Sequence, residues 1–158
     1  MKVASFTIDH DKLLRGIYVS RKDMVGQEVI TTFDVRIKKP NFEPCLDTSA
    51  IHTLEHLMAV YIRGREDWEE KVIYVGPMGC RTGMYLIFKG DLEPLDILDL
   101  MKDTFKYIAD YTDEIPATTS KECGNYLDHN IHYARYECQK FLDEVLENIK
   151  EENMVYPE

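Results

Sequence analysis

Ala50-Ile51-His52-Thr53-Leu54-Glu55-His56-Leu57-Met58-Ala59-Val60-Tyr61-Ile62-Arg63 lies between stretches of quite different pattern. Its apolar residues recur every three or four places, at Leu54, Leu57, Met58, Tyr61 and Ile62, which predicts a helix with one buried face. Asp47, Thr48 or Ser49 can cap its start, and Gly64 suits a left-handed C-terminal position. On this helix His52 and His56 stand one turn apart on one face with Glu55 alongside, so two neutral imidazoles can reach one divalent metal ion. The competing reading is a helix with two hydrogen-bonded or solvent-facing histidines, because so short a motif recurs by chance.

On either side of the helix the pattern changes. Val3 to Ile8 and Glu28 to Ile37 read as strands, the second alternating about Phe33, Val35 and Ile37. Beyond the helix, Lys71 to Val75 and Met84 to Lys89 read as two further strands. Between them lies Gly76-Pro77-Met78-Gly79-Cys80-Arg81-Thr82-Gly83, whose three glycines admit backbone conformations closed to other residues; it is expected to be more elaborate than a plain hairpin. From Leu95 to Tyr111 the spacing of Ile97, Leu98, Met101, Phe105 and Ile108 predicts a second helix, and a third is expected over Ile131 to Ile149. Strands and helices that do not alternate regularly predict an α+β fold, a largely antiparallel sheet with helices packed on one face. With 158 residues, 44% of them hydrophobic, and no repeat or linker-like stretch, residues 1–158 are expected to form a single domain.

Charge narrows the function. A formal net charge of -10, with Lys and Arg scattered, repels phosphate backbones and anionic headgroups, so neither nucleic acid nor a membrane surface is an expected partner. No apolar run approaches the roughly 20 residues of a membrane span, and the start lacks a signal-like apolar stretch, so the cytoplasm is the expected compartment. The four cysteines, Cys45, Cys80, Cys123 and Cys138, show no C-x-x-C spacing, and a reducing compartment disfavours pairing them.

A catalytic metal site takes three protein ligands and keeps one position open, so a distant third donor is needed. Cys123, beside Gly124 and ahead of the third helix, is the leading candidate; its alternative is a small buried residue. Cys80 lies in the glycine-bracketed loop next to Arg81, which can expose its sulfur and favour the thiolate. It is a candidate acid/base or nucleophile, with a buried loop cysteine as the alternative. Cys45 and Cys138 read as small buried residues.

Taken together, His52 to Leu57, Pro77 to Gly83 and Cys123-Gly124, with Ser5-Phe6, Asp9-His10, Phe33-Asp34-Val35-Arg36 and Ile62-Arg63, resemble the S-ribosylhomocysteine lyase family, the autoinducer-2 synthases, over nearly the whole chain. The resemblance implies that His52, His56 and Cys123 bind the metal and that Cys80 and Glu55 form the proton-transferring pair. It also implies one iron(II) or zinc ion per subunit with an exchangeable water, and no organic cofactor. The implied reaction cleaves the thioether of S-ribosylhomocysteine, giving homocysteine and the dihydroxy-pentanedione precursor of autoinducer-2. Lewis acidity at the sugar carbonyl would let proton transfers move the carbonyl along the chain until β-elimination expels the thiol.

By the same resemblance Ser5, His10, Arg36 and Arg63 contact substrate, and the protein is a homodimer with active sites at the subunit interface. One position departs from the family pattern: Tyr74 stands where many members carry an aspartate, so an acidic contact to the substrate's ammonium group is missing. Two other classes compete with the lyase: a metallopeptidase using Glu55 to activate water, and a non-catalytic metal-binding module whose site is closed by four protein ligands.

Overall fold

The computed structural model describes residues 3–157; residues 1, 2 and 158 of the expected 1–158 domain lie outside them. A two-residue turn at Gly26-Gln27 folds β1 (Gly16–Val25) back onto β2 (Glu28–Arg36), with Val25 paired to Glu28. Gly26 has a φ of 64°, the left-handed geometry that lets so tight a hairpin follow the twist of its strands. Apolar alternation does not predict β1. Its second half carries Arg21-Lys22-Asp23 and lies on a sheet edge, where charged side chains face water and discourage pairing with another chain. The expected strand at Val3 to Ile8 is instead a short 3-10 turn, Ala4–Phe6. Val3 and Phe6 remain exposed there, so no buried face existed to impose a strand.

Helix α1 (Thr48–Arg63) follows, capped by the Asp47 carboxylate, which accepts from the Ala50 N–H at 2.7 Å. Gly64 stays right-handed with φ -85°, contrary to the expected left-handed ending. β3 (Val72–Pro77) and β4 (Gly83–Lys89) come next. Their connection is a tight reversal, with Pro77 paired to Met84 and the Met78 N–H bonded to the Gly83 carbonyl at 3.0 Å. Its left-handed residue is Arg81, φ 57°, and none of the three glycines. The Arg81 guanidinium reaches the Leu46 carbonyl at 3.1 Å, and the Leu46 N–H returns a bond to Arg81 O at 2.9 Å, which holds the strained residue and ties the turn to the start of α1.

The four strands form one antiparallel sheet in the order β1-β2-β4-β3. Helix α2 (Pro94–Ala109) and helix α3 (Ile131–Glu144) complete the layer; α3 stops before the expected Ile149 because Val145 leaves helical geometry, and Leu146–Asn148 continues as a 3-10 turn. Phe33, Val35, Met84, Leu86 and Phe88 share one core with Leu54, Leu57, Met58 and Ile62 of α1, Ile97, Met101, Phe105 and Ile108 of α2, and Phe141 of α3. Strand alternation sends Asp34, Arg36 and Tyr85 to the opposite face. The architecture is therefore α+β with the helices on one face, as the pattern predicts, and the two faces of the sheet carry different chemistry.

Candidate functional site

Three imidazoles and a thiol converge beside α1. His52 Nδ1 lies 2.9 Å from the Asp128 carbonyl and His56 Nδ1 lies 2.9 Å from the Pro116 carbonyl. A carbonyl oxygen only accepts, so each Nδ1 carries the proton and each Nε2 a free lone pair. His129 follows the same logic. The Thr53 hydroxyl donates its one hydrogen to the Ser49 carbonyl at 3.0 Å, so it accepts from His129 Nδ1 at 3.0 Å, again leaving Nε2 with the lone pair. The donor atoms of His52, His56, Cys123 and His129 all lie within 4.8 Å of one another.

The rings are packed to keep this arrangement. His52 stacks on His129 with centroids 4.0 Å apart, and His56 sets its edge against both at 4.7 Å. The Cys123 sulfur approaches His52 Nε2 to 3.4 Å, while its backbone N–H is held by the Thr119 carbonyl at 3.0 Å. Nε2 of His129 is buried with no hydrogen-bond partner among the described residues. Burial, with His52 and His56 beside it, pushes the pKa of His129 down to about 4, so the ring is neutral at pH 7. A buried lone pair such as that of His129 Nε2 costs free energy unless a cation accepts it, and imidazoles whose outer N–H groups are tied to carbonyls or hydroxyls are the usual state of metal-binding histidines. The cluster fits a single metal ion, and its nitrogen and sulfur donors suit a borderline ion such as zinc or iron(II).

The sequence-predicted His52, His56 and Cys123 are thus brought together, and Glu55 stands at the rim with Oε2 3.7 Å from His56 Nε2. His129 was not anticipated. Nothing local in the sequence marks it as a donor; its place directly before Asn130, the N-cap of α3, fixes it at the foot of a helix packed on α1.

Cys80 belongs to a second group on the other face of the sheet. Arg36 holds Asp34 through two bonds, Nε to Oδ1 at 3.0 Å and Nη2 to Oδ2 at 2.6 Å, and both side chains are buried, 2% and 1% exposed. The remaining nitrogen, Nη1, donates to the Thr82 hydroxyl at 2.7 Å and faces the Cys80 sulfur at 3.8 Å. Burial alone would push the Cys80 thiol up, but hydrogen bonds from the Thr82 hydroxyl and backbone, with the charge of Arg36, bring it below the ordinary value. Cys80 is an exposed residue, which with a lowered thiol pKa suits a reactive thiolate. Among the described residues no hydrogen bond or ion pair joins Cys80 to Glu55 or to the imidazole cluster.

Of the expected substrate contacts, Arg36 lies in this second group, and Ser5 lines an open groove of about 420 Å³ on the same face with Ser20, Thr32, Tyr74 and Tyr85. Tyr74 folds back over Gly76, where a Cβ would meet the tyrosine hydroxyl at 2.0 Å. His10 is bound by its own loop, Nδ1 to the Ile8 carbonyl at 2.9 Å. Arg63 is exposed and donates to the Ile73 carbonyl at 3.3 Å, a contact that ties the end of α1 to β3.

A family model described as S-Ribosylhomocysteinase (LuxS) matches residues 3–152. The chain belongs to that family. Curated relatives named S-ribosylhomocysteine lyase cover the same length: one from Phocaeicola vulgatus is 54% identical over 155 residues, 98% of this chain and 96% of its own. Another from Clostridium beijerinckii is 50% identical over 156 residues, 99% of this chain and 98% of its own. A third, from Borreliella burgdorferi, is 53% identical over 156 residues and 99% of each chain. S-ribosylhomocysteinase membership agrees with the donor cluster and with the motifs that carried the resemblance. No helix of the described residues is long and apolar enough to cross a membrane.

Proposed function

We propose that this chain is a metal-dependent carbon–sulfur lyase that cleaves S-ribosylhomocysteine to homocysteine and the dihydroxy-pentanedione precursor of autoinducer-2. The observation that carries the reading is the convergence of inward-facing imidazole lone pairs and the Cys123 thiol in a chain of this family. His52, His56 and Cys123 hold the ion, iron(II) or zinc, with His129 as an additional donor. When bound, the ion supplies Lewis acidity at the sugar's carbonyl oxygen. Glu55 and Cys80 move the protons. A base removes the proton from the carbon beside the carbonyl and one is returned at the next carbon, so the carbonyl migrates; a further deprotonation expels the homocysteine sulfur by β-elimination. Arg36 keeps Cys80 in its reactive form.

Placement of Cys80 and the imidazole cluster on different faces of one sheet supports a homodimer in which the Cys80 group of one subunit faces the metal cluster of the other. Ser5, His10, Arg36 and Arg63 are the substrate contacts of this reading, with Tyr74 offering a hydroxyl and an aromatic face to the ammonium end where an acidic group would otherwise stand. The enzyme works in the cytoplasm. Its product feeds autoinducer-2 synthesis.

His129 also favours a second reading. Four protein donors are the number that closes a structural metal site, and such a site gives no task to Glu55 or Cys80. Anaerobically purified protein, loaded with iron(II) or cobalt(II) and given S-ribosylhomocysteine, distinguishes the two by the free thiol released. The lyase reading expects thiol release, reduced at least about 100-fold in Cys80→Ala and in Glu55→Ala. Absence of thiol, or release at the wild-type rate by both variants, overturns it.

A further inference from the structure

We propose that Tyr156 is a positioning residue for Cys80, acting through Asp34 and Arg36. The proposal rests on the lyase reading only in taking Cys80 as a group that moves protons. The Tyr156 hydroxyl donates to Asp34 Oδ2 at 2.8 Å, the same oxygen that accepts from Arg36 Nη2 at 2.6 Å. Its ring lies flat on Tyr18, with centroids 4.8 Å apart and planes 6° from parallel. Tyr18 is fully buried, and its one hydroxyl hydrogen is shared between the Leu14 carbonyl at 2.9 Å and, more weakly, the Glu152 carbonyl at 3.3 Å. The segment after α3 is thereby drawn across the outer face of the sheet, with its last aromatic ring closing over the buried ion pair.

A buried carboxylate needs its lone pairs filled. Arg36 alone supplies two donors, and Tyr156 adds a third to Oδ2 that fixes the carboxylate and takes up part of its charge. The guanidinium can then keep Nη1 turned toward Thr82 and the Cys80 sulfur. Of the charged and titratable groups, Arg36 from β2 and Tyr85 from β4 act on Cys80 directly, while Asp34 from β2 and Tyr156 stand behind Arg36. Without the tyrosine hydroxyl, Asp34 draws more of the Arg36 charge away from the sulfur, and the thiolate is less favoured.

Alkylation tests this without substrate, so its result is independent of whether homocysteine is released. The metal-loaded protein is treated with iodoacetamide across a pH series, and modification of Cys80 is separated from that of Cys45 and Cys123 by peptide mass mapping. Tyr156→Phe, which keeps the stacked ring, is expected to raise the midpoint by about half a pH unit and slow alkylation at neutral pH about threefold. Tyr18→Phe, which keeps the ring beside Asp34 and removes a hydroxyl bonded to the Leu14 and Glu152 carbonyls and not to Asp34, is expected to leave the midpoint in place. In an Arg36→Lys background, which removes the fork, Tyr156→Phe is expected to add nothing. A Tyr156→Phe profile that overlays the wild type overturns the proposal. So does an equal shift in Tyr18→Phe, or a full additive shift in the Arg36→Lys background.

Discussion

Thr53 and His129 are locked together by the direction of their hydrogen bonds. The hydroxyl, on a fully buried residue, spends its hydrogen on the Ser49 carbonyl and accepts from both His129 Nδ1 and the Asn130 backbone N–H, each at 3.0 Å. One side chain on α1 therefore sets the tautomer of His129 and anchors the first residue of the α3 cap. Replacement by valine keeps the shape and removes both acceptor bonds. Thr53→Val is expected to cost about 1–3 kcal/mol of stability, measured by urea unfolding. It is also expected to weaken metal binding about 10–100-fold, measured by competition with a chromogenic chelator. Wild-type affinity in this variant would mean that ring stacking alone orients His129.

Metal removal is expected to destabilise the fold, because the donors come from α1, the loop around Cys123 and the residue before the N-cap of α3, and only the folded chain brings them together. A ligand present at 1,000 times its Kd adds about 4 kcal/mol to the folded state. Calorimetry before and after treatment with a chelator at neutral pH should lower the Tm by several degrees, and readdition of zinc should restore it. An unchanged Tm would show that the cluster binds no ion of consequence.

Much of this site was legible in the sequence because it is local or motif-borne. Spacing on a helix fixes His52, Glu55 and His56 relative to one another before any tertiary contact is known, and Cys123 stood out beside a glycine. His129 did not, because nothing local distinguishes a metal-facing histidine from a cap neighbour; its role comes from α3 docking on α1. The same limit hid β1, whose charged edge residues erase the alternation, and the separation of Cys80 from Glu55. Alternation about Phe33, Val35 and Ile37 does point Arg36 away from the core, but that Cys80 joins it there follows from the pairing of β2 with β4, which no stretch of sequence read alone reveals. Asp34 and Arg36 looked like a motif; that they form a buried ion pair closed by Tyr156 is a fact of packing across more than a hundred residues.

Gly76 is the residue that lets Tyr74 lie back against its own strand. An added Cβ would meet the tyrosine hydroxyl at 2.0 Å and ring atoms at 2.3 and 2.6 Å, and since those atoms end a flexible side chain, the ring moves and the backbone stays. Gly76→Ala is expected to fold with stability changed by under about 1 kcal/mol while swinging Tyr74 into the groove beside Ser5 and Tyr85. Activity assays should show this as a change in KM for substrate with kcat nearly kept, because the ring lines the groove and lies away from the cluster. An equal fall in kcat would argue that Tyr74 touches the reacting atoms.

Alkaline pH should loosen the chain through groups that are buried neutral. Burial first, with carboxylates nearby second, raises the Cys138 thiol and the Tyr18 and Tyr156 phenols above their ordinary values of 9.0 and 10.0. The unfolded chain releases these protons earlier than the folded one, so the stability they contribute is complete below pH 9.0 and is lost as pH rises beyond it. Cys80 works in the opposite sense: its folded value is lowered, so its contribution grows as pH rises toward 9.0 and cannot cause a loss above it. Urea unfolding between about pH 8 and pH 10.5 should show a decline that begins near 9 and steepens near 10, with each titrating group adding a slope of about 1.4 kcal/mol per pH unit. Cys138→Ala should delay the onset toward pH 10, where the tyrosines take over. An onset that does not move in this variant would assign the alkaline loss to the tyrosines alone.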